Sequence, residues 1–100
     1  MSMSHKLEVL QAIWEKGVPV SSHDPAKWRK DVCGAWMYWG AYGDRNSVFG
    51  WEIDHIIPRS AGGLDDLANL RPLHYENNIV RLNGPLRCII TSSGGRNIRL

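Results

Sequence analysis

Apolar positions near the start of the chain recur with the spacing of an α-helix. Residues 6–16 place four apolar side chains on one helical face, and Gly17 ends the predicted helix. Asp24 followed by Pro25 has the pattern of a helix N-cap with proline at the first helical position, which predicts a second short helix over residues 25–31. The side chains on the first apolar face are Leu7, Leu10, Ile13 and Trp14.

The middle of the chain changes to alternating and turn-rich patterns. Residues 32–50 combine glycines with aromatic side chains, which is typical of turns and short strands. Residues 51–56 alternate apolar and polar side chains and so predict a strand. After a loop that contains proline and glycine, the pattern predicts a second strand over 70–73 and a helix over 75–82. Residues 86–91 are typical either of a further strand or of an apolar tail.

Length and composition bound the class of protein. A chain of 100 residues makes one domain with a modest core, and five tryptophans favour a globular fold in which they are buried. No apolar run is long enough to span a membrane, and no signal-peptide pattern is present, so we expect a cytoplasmic protein without a membrane partner. Cys33 and Cys88 cannot form a disulfide framework, and we expect free thiols, which fit a reducing compartment.

Positive charge is concentrated in the second half of the chain. The formal net charge is only +2, but six arginines and three acidic residues follow His55. The planar fork of arginine suits bidentate contacts with phosphate. On charge alone, a phosphate-binding surface and an ordinary solvated face remain equally open. The arginines that flank the polar motif described next are Arg59, Arg71, Arg81 and Arg87.

A compact group of polar residues surrounds the predicted strand–loop–strand–helix unit. Asp54 and His55 end the first strand, Asn69 closes the loop, and Asn78 lies about one turn into the helix. Carboxylate, amide and imidazole groups suit a hard metal ion and a general base, which phosphodiester hydrolysis requires. Neighbouring strand residues point to opposite sides, so one of the pair can hold a metal while the other activates water.

These elements together resemble the HNH endonuclease family, the ββα-metal nucleases, in its small phage and bacterial type. The resemblance is specific over residues 50–83, weaker over 24–49 and absent from 1–23. It implies a small single α+β domain, with an HNH nuclease domain over 24–100, a ββα-metal core over about 51–83, and an N-terminal helical extension over 1–23. The matching positions are Asp54-His55-Ile56-Ile57-Pro58, Gly62-Gly63, Asp65-Asp66, Asn69-Leu70, Leu73 and Asn78.

The resemblance also implies roles for single residues. His55 would be the general base, and Asp54 and Asn78 would bind one divalent metal ion. Asn69 would hydrogen-bond to backbone and fix the loop beside His55, while His74 is a further candidate ligand. Mg²⁺ or Mn²⁺ is the expected ion, with Zn²⁺ or Ni²⁺ as alternatives.

Many members of the family carry a structural zinc ion held by two Cys-x-x-Cys pairs. Here the corresponding positions are Cys33 with Trp36, and His74 with Asn77. These four residues cannot form a zinc cage, so we expect no structural zinc and assign its organising role to the tryptophans. Asn77 is expected to be a bystander.

The implied activity is a metal-dependent DNA endonuclease of low sequence specificity that nicks one strand per site. We expect a monomer or weak homodimer that acts on DNA, with phage or restriction proteins as further partners. Two alternatives remain open at this point. One is a nucleic-acid-binding module with the HNH fold, and the other is a phage packaging or assembly subunit, each with little cleavage alone.

Overall fold

Helix α1 spans Met3–Trp14 and supplies the first apolar side chains of the core. The computed structural model describes residues 3–100, with side chains from Lys6 onwards, so the first two residues of the predicted extension lie outside the described part. Ile13 and Trp14 are buried, whereas Leu7 at the other end of the predicted apolar face is exposed. The predicted first helix is therefore confirmed, with its buried face limited to its last turn.

Three two-stranded antiparallel sheets follow, each made by strands that are consecutive in the chain. A short helix, α2, packs against the middle sheet. The elements are β1 (Trp28–Lys30), β2 (Trp36–Tyr38), β3 (Trp51–His55), β4 (Leu70–His74), α2 (Tyr75–Arg81), β5 (Ile90–Ser93) and β6 (Arg96–Arg99).

Strands β3 and β4 with helix α2 form the predicted ββα unit. His55 pairs with Leu70 at one end of the sheet, and Trp51 pairs with His74 at the other. Helix α2 begins directly after β4, so its side chains return along the face of β3. Both strands and the helix are confirmed, and their bounds lie within one or two residues of the predicted ones. The predicted α+β fold class is also confirmed.

The core is built around tryptophans that pack against one another. Trp14 of α1 and Trp51 of β3 lie 5.0 Å apart between ring centroids, and Met37 of β2 completes a buried cluster with them. Trp36 is also buried. Trp28 and Trp39 are half-buried. The prediction that tryptophans form the core is confirmed for three of the five, and the other two pack at its edge.

A buried aspartate joins the turn after β1 to the start of α2. Oδ1 of Asp31 accepts hydrogen bonds from the backbone N–H groups of Cys33 and Ala35. Its Oδ2 accepts from the N–H of His74 at 3.0 Å and from Nδ2 of Asn77 at 3.0 Å. The carboxylate therefore holds two distant segments together.

Asn77 is fully buried and is not a bystander, which corrects the prediction. Besides its bond to Asp31, its Nδ2 donates to the carbonyl of Ile90, and its Oδ1 accepts from the N–H groups of Ile89 and Ile90. Because every polar atom of this amide is bonded, Asn77 fixes the start of β5 against α2.

The predicted helix over residues 25–31 is wrong. Asp24 does cap a turn, since its Oδ1 accepts from the N–H of Ala26, but the turn does not continue. Residues 28–30 instead pair with β2, where Trp28 lies against Tyr38 and Phe49. Aromatic packing across the hairpin outweighs the local signal of the N-cap.

The C-terminal region forms a hairpin of which only the first strand was anticipated. Strand β5 begins at Ile90, within the predicted strand or tail, and the turn that follows it contains Gly94, where φ is 58°. Strand β6 pairs back in register, and the amide of Asn97 bonds to the backbone of Trp36 and Val48. Those long-range bonds attach the hairpin to the rest of the domain.

Cys33 and Cys88 form a disulfide, so the prediction of free thiols is wrong. Their Cα atoms lie 5.5 Å apart although 55 positions separate them in sequence. The fold brings the turn after β1 beside the segment that follows α2, which sequence spacing alone does not reveal. The argument for a reducing compartment therefore no longer holds. Within the described part of the chain, neither helix has the length and apolar character needed to cross a membrane.

Candidate active site

A cleft of ≈ 190 Å³ opens at the end of the ββα unit. It brings together the three predicted residues of the metal and base site: Asp54 and His55 at the end of β3, and Asn78 on α2. Arg59 from the β3–β4 loop and Leu82 from the end of α2 contribute to its walls. Antiparallel pairing and the immediate start of α2 after β4 produce this convergence.

Asp54 is buried and paired with two guanidinium groups. Nη1 of Arg81 lies 2.8 Å from Oδ2 and 3.0 Å from Oδ1, while Nε of Arg71 lies 2.8 Å from Oδ2. Arg71 faces Asp54 directly across the sheet. Arg81 reaches it from the last turn of α2. The ion pairs thus connect β3, β4 and α2 at the floor of the cleft.

Asn78 is held by Glu52, a residue that lies two positions before Asp54 on the same side of β3. Nδ2 of Asn78 donates to Oε1 of Glu52 at 3.0 Å, and Arg45 donates to both oxygens of that carboxylate. Burial raises the pKa of Glu52, but the hydrogen bonds from Arg45 and Asn78 together outweigh it, so the pKa lies below its usual value.

The oxygen donors at the cleft are of the types that a hard divalent cation binds, although the described residues contain no group of three or more His, Cys, Asp or Glu side chains placed to hold one. Because Nδ2 of Asn78 points to Glu52, its Oδ1 remains an acceptor directed elsewhere. Oδ1 of Asp54 accepts one hydrogen bond, which leaves a further lone pair on that oxygen. Carboxylate and amide oxygens are ligands that Mg²⁺ and Mn²⁺ accept. The positive charges of Arg71 and Arg81 repel a metal ion, so they lower the affinity of Asp54 for that ion.

His55 is partly exposed and bonds to the β3–β4 loop. Its Nε2 lies 2.7 Å from Oδ1 of Asp65, and Nη2 of Arg59 lies 2.6 Å from Oδ2 of the same carboxylate. The hydrogen bond from His55 and the charge of Arg59 hold the pKa of Asp65 below its usual value. The three side chains form a continuous hydrogen-bonded chain beside the cleft.

Asn69 bonds to backbone, as predicted. Its Oδ1 accepts from the N–H of Ile57 at 2.8 Å, and its Nδ2 donates to the carbonyls of Ile57 and Leu64. The backbone carbonyl of Asn69 also accepts from the N–H of Ile56, directly after His55. One side chain therefore closes both ends of the β3–β4 loop.

His74 has a different position from the one expected of a ligand. It is the N-cap of α2: its Nδ1 accepts from the N–H of Glu76, and its Nε2 bonds to the carbonyl of Val48 at 2.9 Å. Both ring nitrogens are thus engaged away from the cleft. The suggestion of His74 as a metal ligand is corrected, because neither nitrogen is free to coordinate.

The four flanking arginines divide into two groups. Arg71 and Arg81 are committed to Asp54, and the buried Arg81 also donates to the carbonyls of His55 and Ile56. The prediction that Arg81 contacts phosphate is therefore wrong, because its guanidinium group is buried and bonded within the protein. Arg59 and Arg87 are exposed, and Arg59 lines the cleft.

Comparison with protein families agrees with the geometry. The family model described as HNH endonuclease matches residues 44–78, a segment that runs from the turn before β3 into α2. The chain contains an HNH domain. Neither the curated proteins nor the solved structures provide a match to the chain. The HNH domain suggests nuclease-type hydrolysis and implies DNA as the substrate.

Two side-chain contacts of the site residues were not anticipated, that of Glu52 with Asn78 and that of Asp65 with His55, although the sequence indicates the position of Glu52. Glu52 alternates with Asp54 along β3, so strand periodicity places both carboxylates on one side. Asp65 reaches His55 only through the path of the loop, and nothing in the sequence spacing specifies that contact.

Proposed function

We propose that the chain is a metal-dependent DNA endonuclease that hydrolyses phosphodiester bonds and nicks one strand per site. The observation that carries the proposal is the shared cleft, which is lined by His55, Asp54 and Asn78 together. The exposed arginines would contact phosphates, which carry no base identity, so we expect low sequence specificity.

Each side chain has a distinct part in this proposal. His55 takes the proton from the attacking water. Asp54 and Asn78 would hold one divalent ion, Mg²⁺ or Mn²⁺, which when bound would stabilise charge on the phosphate and the leaving oxygen. Arg59 at the cleft rim attracts phosphate, so binding should weaken as salt concentration rises. Asn69 keeps the loop after His55 in place.

One cleft per chain implies one cut per binding event. A monomer should convert supercoiled plasmid to open circles, because a second strand requires a second site. Early appearance of linear plasmid would instead indicate two paired chains.

The test is plasmid nicking with Mg²⁺, Mn²⁺ or EDTA, for the wild type and His55→Ala. We expect open circles only with metal and a loss of about 10²–10⁴-fold in rate for His55→Ala, the usual contribution of a general base. His23→Ala is the matched control, since His23 is an exposed histidine outside the cleft. Equal rates for wild type and His55→Ala would overturn the assignment.

Metal binding is tested separately from cleavage. Asn78→Ala should lower Mn²⁺ affinity, measured by electron paramagnetic resonance, while circular dichroism shows an intact fold. Asn83→Ala is the control, because Asn83 also lines the cleft but is not a proposed ligand. An unchanged Mn²⁺ affinity for Asn78→Ala would contradict its role.

One observation favours a second candidate, a nucleic-acid-binding module that cleaves poorly alone. Both carboxylate oxygens of Asp54 already accept hydrogen bonds from arginine, which gives this residue a structural use without metal. DNA binding that weakens with salt, together with no nicking under any metal, would support this candidate over the nuclease.

A further inference from the structure

The hydrogen bond between His55 and Asp65 determines where the imidazole carries its proton. An ionised carboxylate only accepts hydrogen bonds, so the contact of 2.7 Å between Nε2 and Oδ1 requires a proton on Nε2. In the neutral ring, Nδ1 then bears the lone pair. Among the described residues, Nδ1 of His55 has no hydrogen-bond partner.

The loop is built so that Asp65 returns to His55. Nδ2 of Asn69 holds the carbonyl of Leu64, the residue directly before Asp65, at 2.9 Å. A Cβ at Gly63 would lie 1.7 Å from the carbonyl oxygen of Ile57, so only glycine allows the loop to fold back this closely. The backbone is thus fixed on the side of the loop that leads into Asp65.

Arg59 fixes the carboxylate itself. Its Nη2 holds Oδ2 at 2.6 Å, which leaves Oδ1 directed at the imidazole. The neighbouring Asp66 is different: its side chain makes no capping hydrogen bond, although it precedes the short helical turn at Leu67–Asn69. Of the two adjacent aspartates, only Asp65 contacts the proposed base.

We propose that Asp65, held by Arg59, is the positioning residue of His55: it keeps the proton on Nε2 and leaves Nδ1 to accept the proton from water. This inference rests on the proposed nuclease function. After proton transfer both ring nitrogens carry hydrogen, and the carboxylate stabilises the resulting imidazolium, which is the logic of an Asp–His pair in acid–base catalysis. Asp65 does not touch the substrate.

The first test reads the tautomer directly and needs no DNA. Long-range ¹H–¹⁵N correlation spectra of ¹⁵N-histidine-labelled protein, recorded at about pH 9 where imidazoles are neutral, distinguish Nε2–H from Nδ1–H rings. The ring of His55, assigned with His55→Ala, should be in the Nε2–H form in the wild type and in Asp66→Asn. In Asp65→Asn it should become a mixture of both forms. An unchanged spectrum in Asp65→Asn would overturn the proposal.

The second test measures nicking by the same variants. Asp65→Asn should lower kcat by about 10–100-fold with little change in KM, the usual effect of losing a residue that orients another. Asp66→Asn makes the same charge change one position away and should retain the wild-type kcat. Equal kcat values for Asp65→Asn and Asp66→Asn would overturn the catalytic part of the proposal.

The two tests separate this inference from the proposed function. If the wild type fails to nick with every metal, the nuclease function fails and with it the catalytic use of Asp65. The spectrum then still decides whether Asp65 sets the tautomer of His55. If the wild type nicks and the spectrum of Asp65→Asn is unchanged, the nuclease stands and only the role of Asp65 is lost.

Discussion

Leu82 has a backbone conformation that L side chains rarely adopt. Its φ is 49° and its ψ is −116°, and the N–H of Gly84 closes the turn on the carbonyl of Arg81 at 2.7 Å. This corresponds to the first central position of a type II′ turn, where glycine is the usual residue. Leu82 is also 79% exposed, so little burial offsets the strain.

Replacement of Leu82 by glycine should therefore stabilise the protein. Relief of backbone strain at such positions stabilises the folded state by about 1–3 kcal/mol. Glycine also has greater conformational freedom in the unfolded chain, which reduces this gain. We expect Leu82→Gly to raise the free energy of unfolding by about 1 kcal/mol, measured by urea denaturation. Leu82→Ala, which keeps the strain, should show no such gain, and a gain of equal size would refute this explanation.

The sequence was most informative about residues whose spacing follows a regular element. Asp54, His55 and Asn78 could be placed together because strand and helix periodicity fix their directions. Asn77 could not be interpreted, because its four hydrogen bonds reach Asp31 and β5, which are distant in sequence. The contact between Asp65 and His55 was missed for the same reason, since a loop and not a periodic element sets it.

Helix α2 is attached to β3 by a polar bridge as well as by the ion pairs at Asp54. The bridge runs from Arg45 through Glu52 to Asn78. Because the pKa of Glu52 is lower in the folded chain than its ordinary value of 4.5, the bridge stabilises the fold above that value. The contribution is lost as the pH falls below about 4.5 through the folded pKa of Glu52.

Glu52→Gln should consequently change how stability depends on pH. At neutral pH the variant should be less stable than the wild type, and the difference should disappear on acidification, since a protonated glutamate is as neutral as glutamine. Thermal unfolding between pH 3 and 7 measures this difference. Glu8→Gln on exposed α1 is the control. A difference between wild type and Glu52→Gln that persists unchanged at pH 3 would contradict the argument.

The carboxylate of Asp31 joins the turn after β1 to the start of α2. The segments it connects contain Cys33, Trp36, His74 and Asn77, the positions that the resemblance to HNH endonucleases aligns with zinc ligands. The local sequence could not reveal this connection, because the bonding partners of Asp31 in His74 and Asn77 come close to it only when α2 packs on the turn. Hydrogen bonds to Asp31 connect these segments, and the disulfide joins Cys33 to the segment that follows α2.

Asp31→Asn should destabilise the fold strongly. The amide replaces one acceptor oxygen with a donor, so the N–H donors that meet it are left unpaired in a buried site. We expect a loss of about 3 kcal/mol in the free energy of unfolding, within the range for buried hydrogen bonds to a charged group, measured by chemical denaturation. Asp24→Asn, in an exposed turn, should cost much less. Comparable losses of unfolding free energy in the two variants would show that the buried hydrogen bonds of Asp31 contribute no more to stability than those of an exposed turn.

The N-terminal segment is bound to the rest of the described chain by packing and by hydrogen bonds. Trp14 of α1 packs on Trp51, and the ammonium of Lys16 donates to the carbonyls of Leu67 and Leu70 in the HNH domain. The division into an extension over 1–23 and a domain over 24–100 stays a prediction. The fold class could be anticipated because the ββα pattern is local, whereas the C-terminal hairpin and the disulfide depend on contacts that only the folded chain makes.

Loss of the disulfide should lower stability without a change in the site. Closing a loop of 55 residues restricts the unfolded chain, and disulfides typically contribute about 2–4 kcal/mol. We expect Cys33→Ser with Cys88→Ser to lower the free energy of unfolding by about that amount. The reductant-treated wild type should behave in the same way. A double variant as stable as the oxidised wild type would show that the bond is dispensable.

The same bond also turns most of the chain into a covalent ring. Residues 44–78, the segment that matches the HNH family, lie entirely between Cys33 and Cys88, and so does the exposed β3–β4 loop. A protease that cuts once in that loop separates Asp54 and His55 from Asn78 along the backbone, yet both pieces stay joined through sulfur. The two fragments, one with Asp54 and His55 and the other with Asn78, could separate only after a reductant has broken the disulfide.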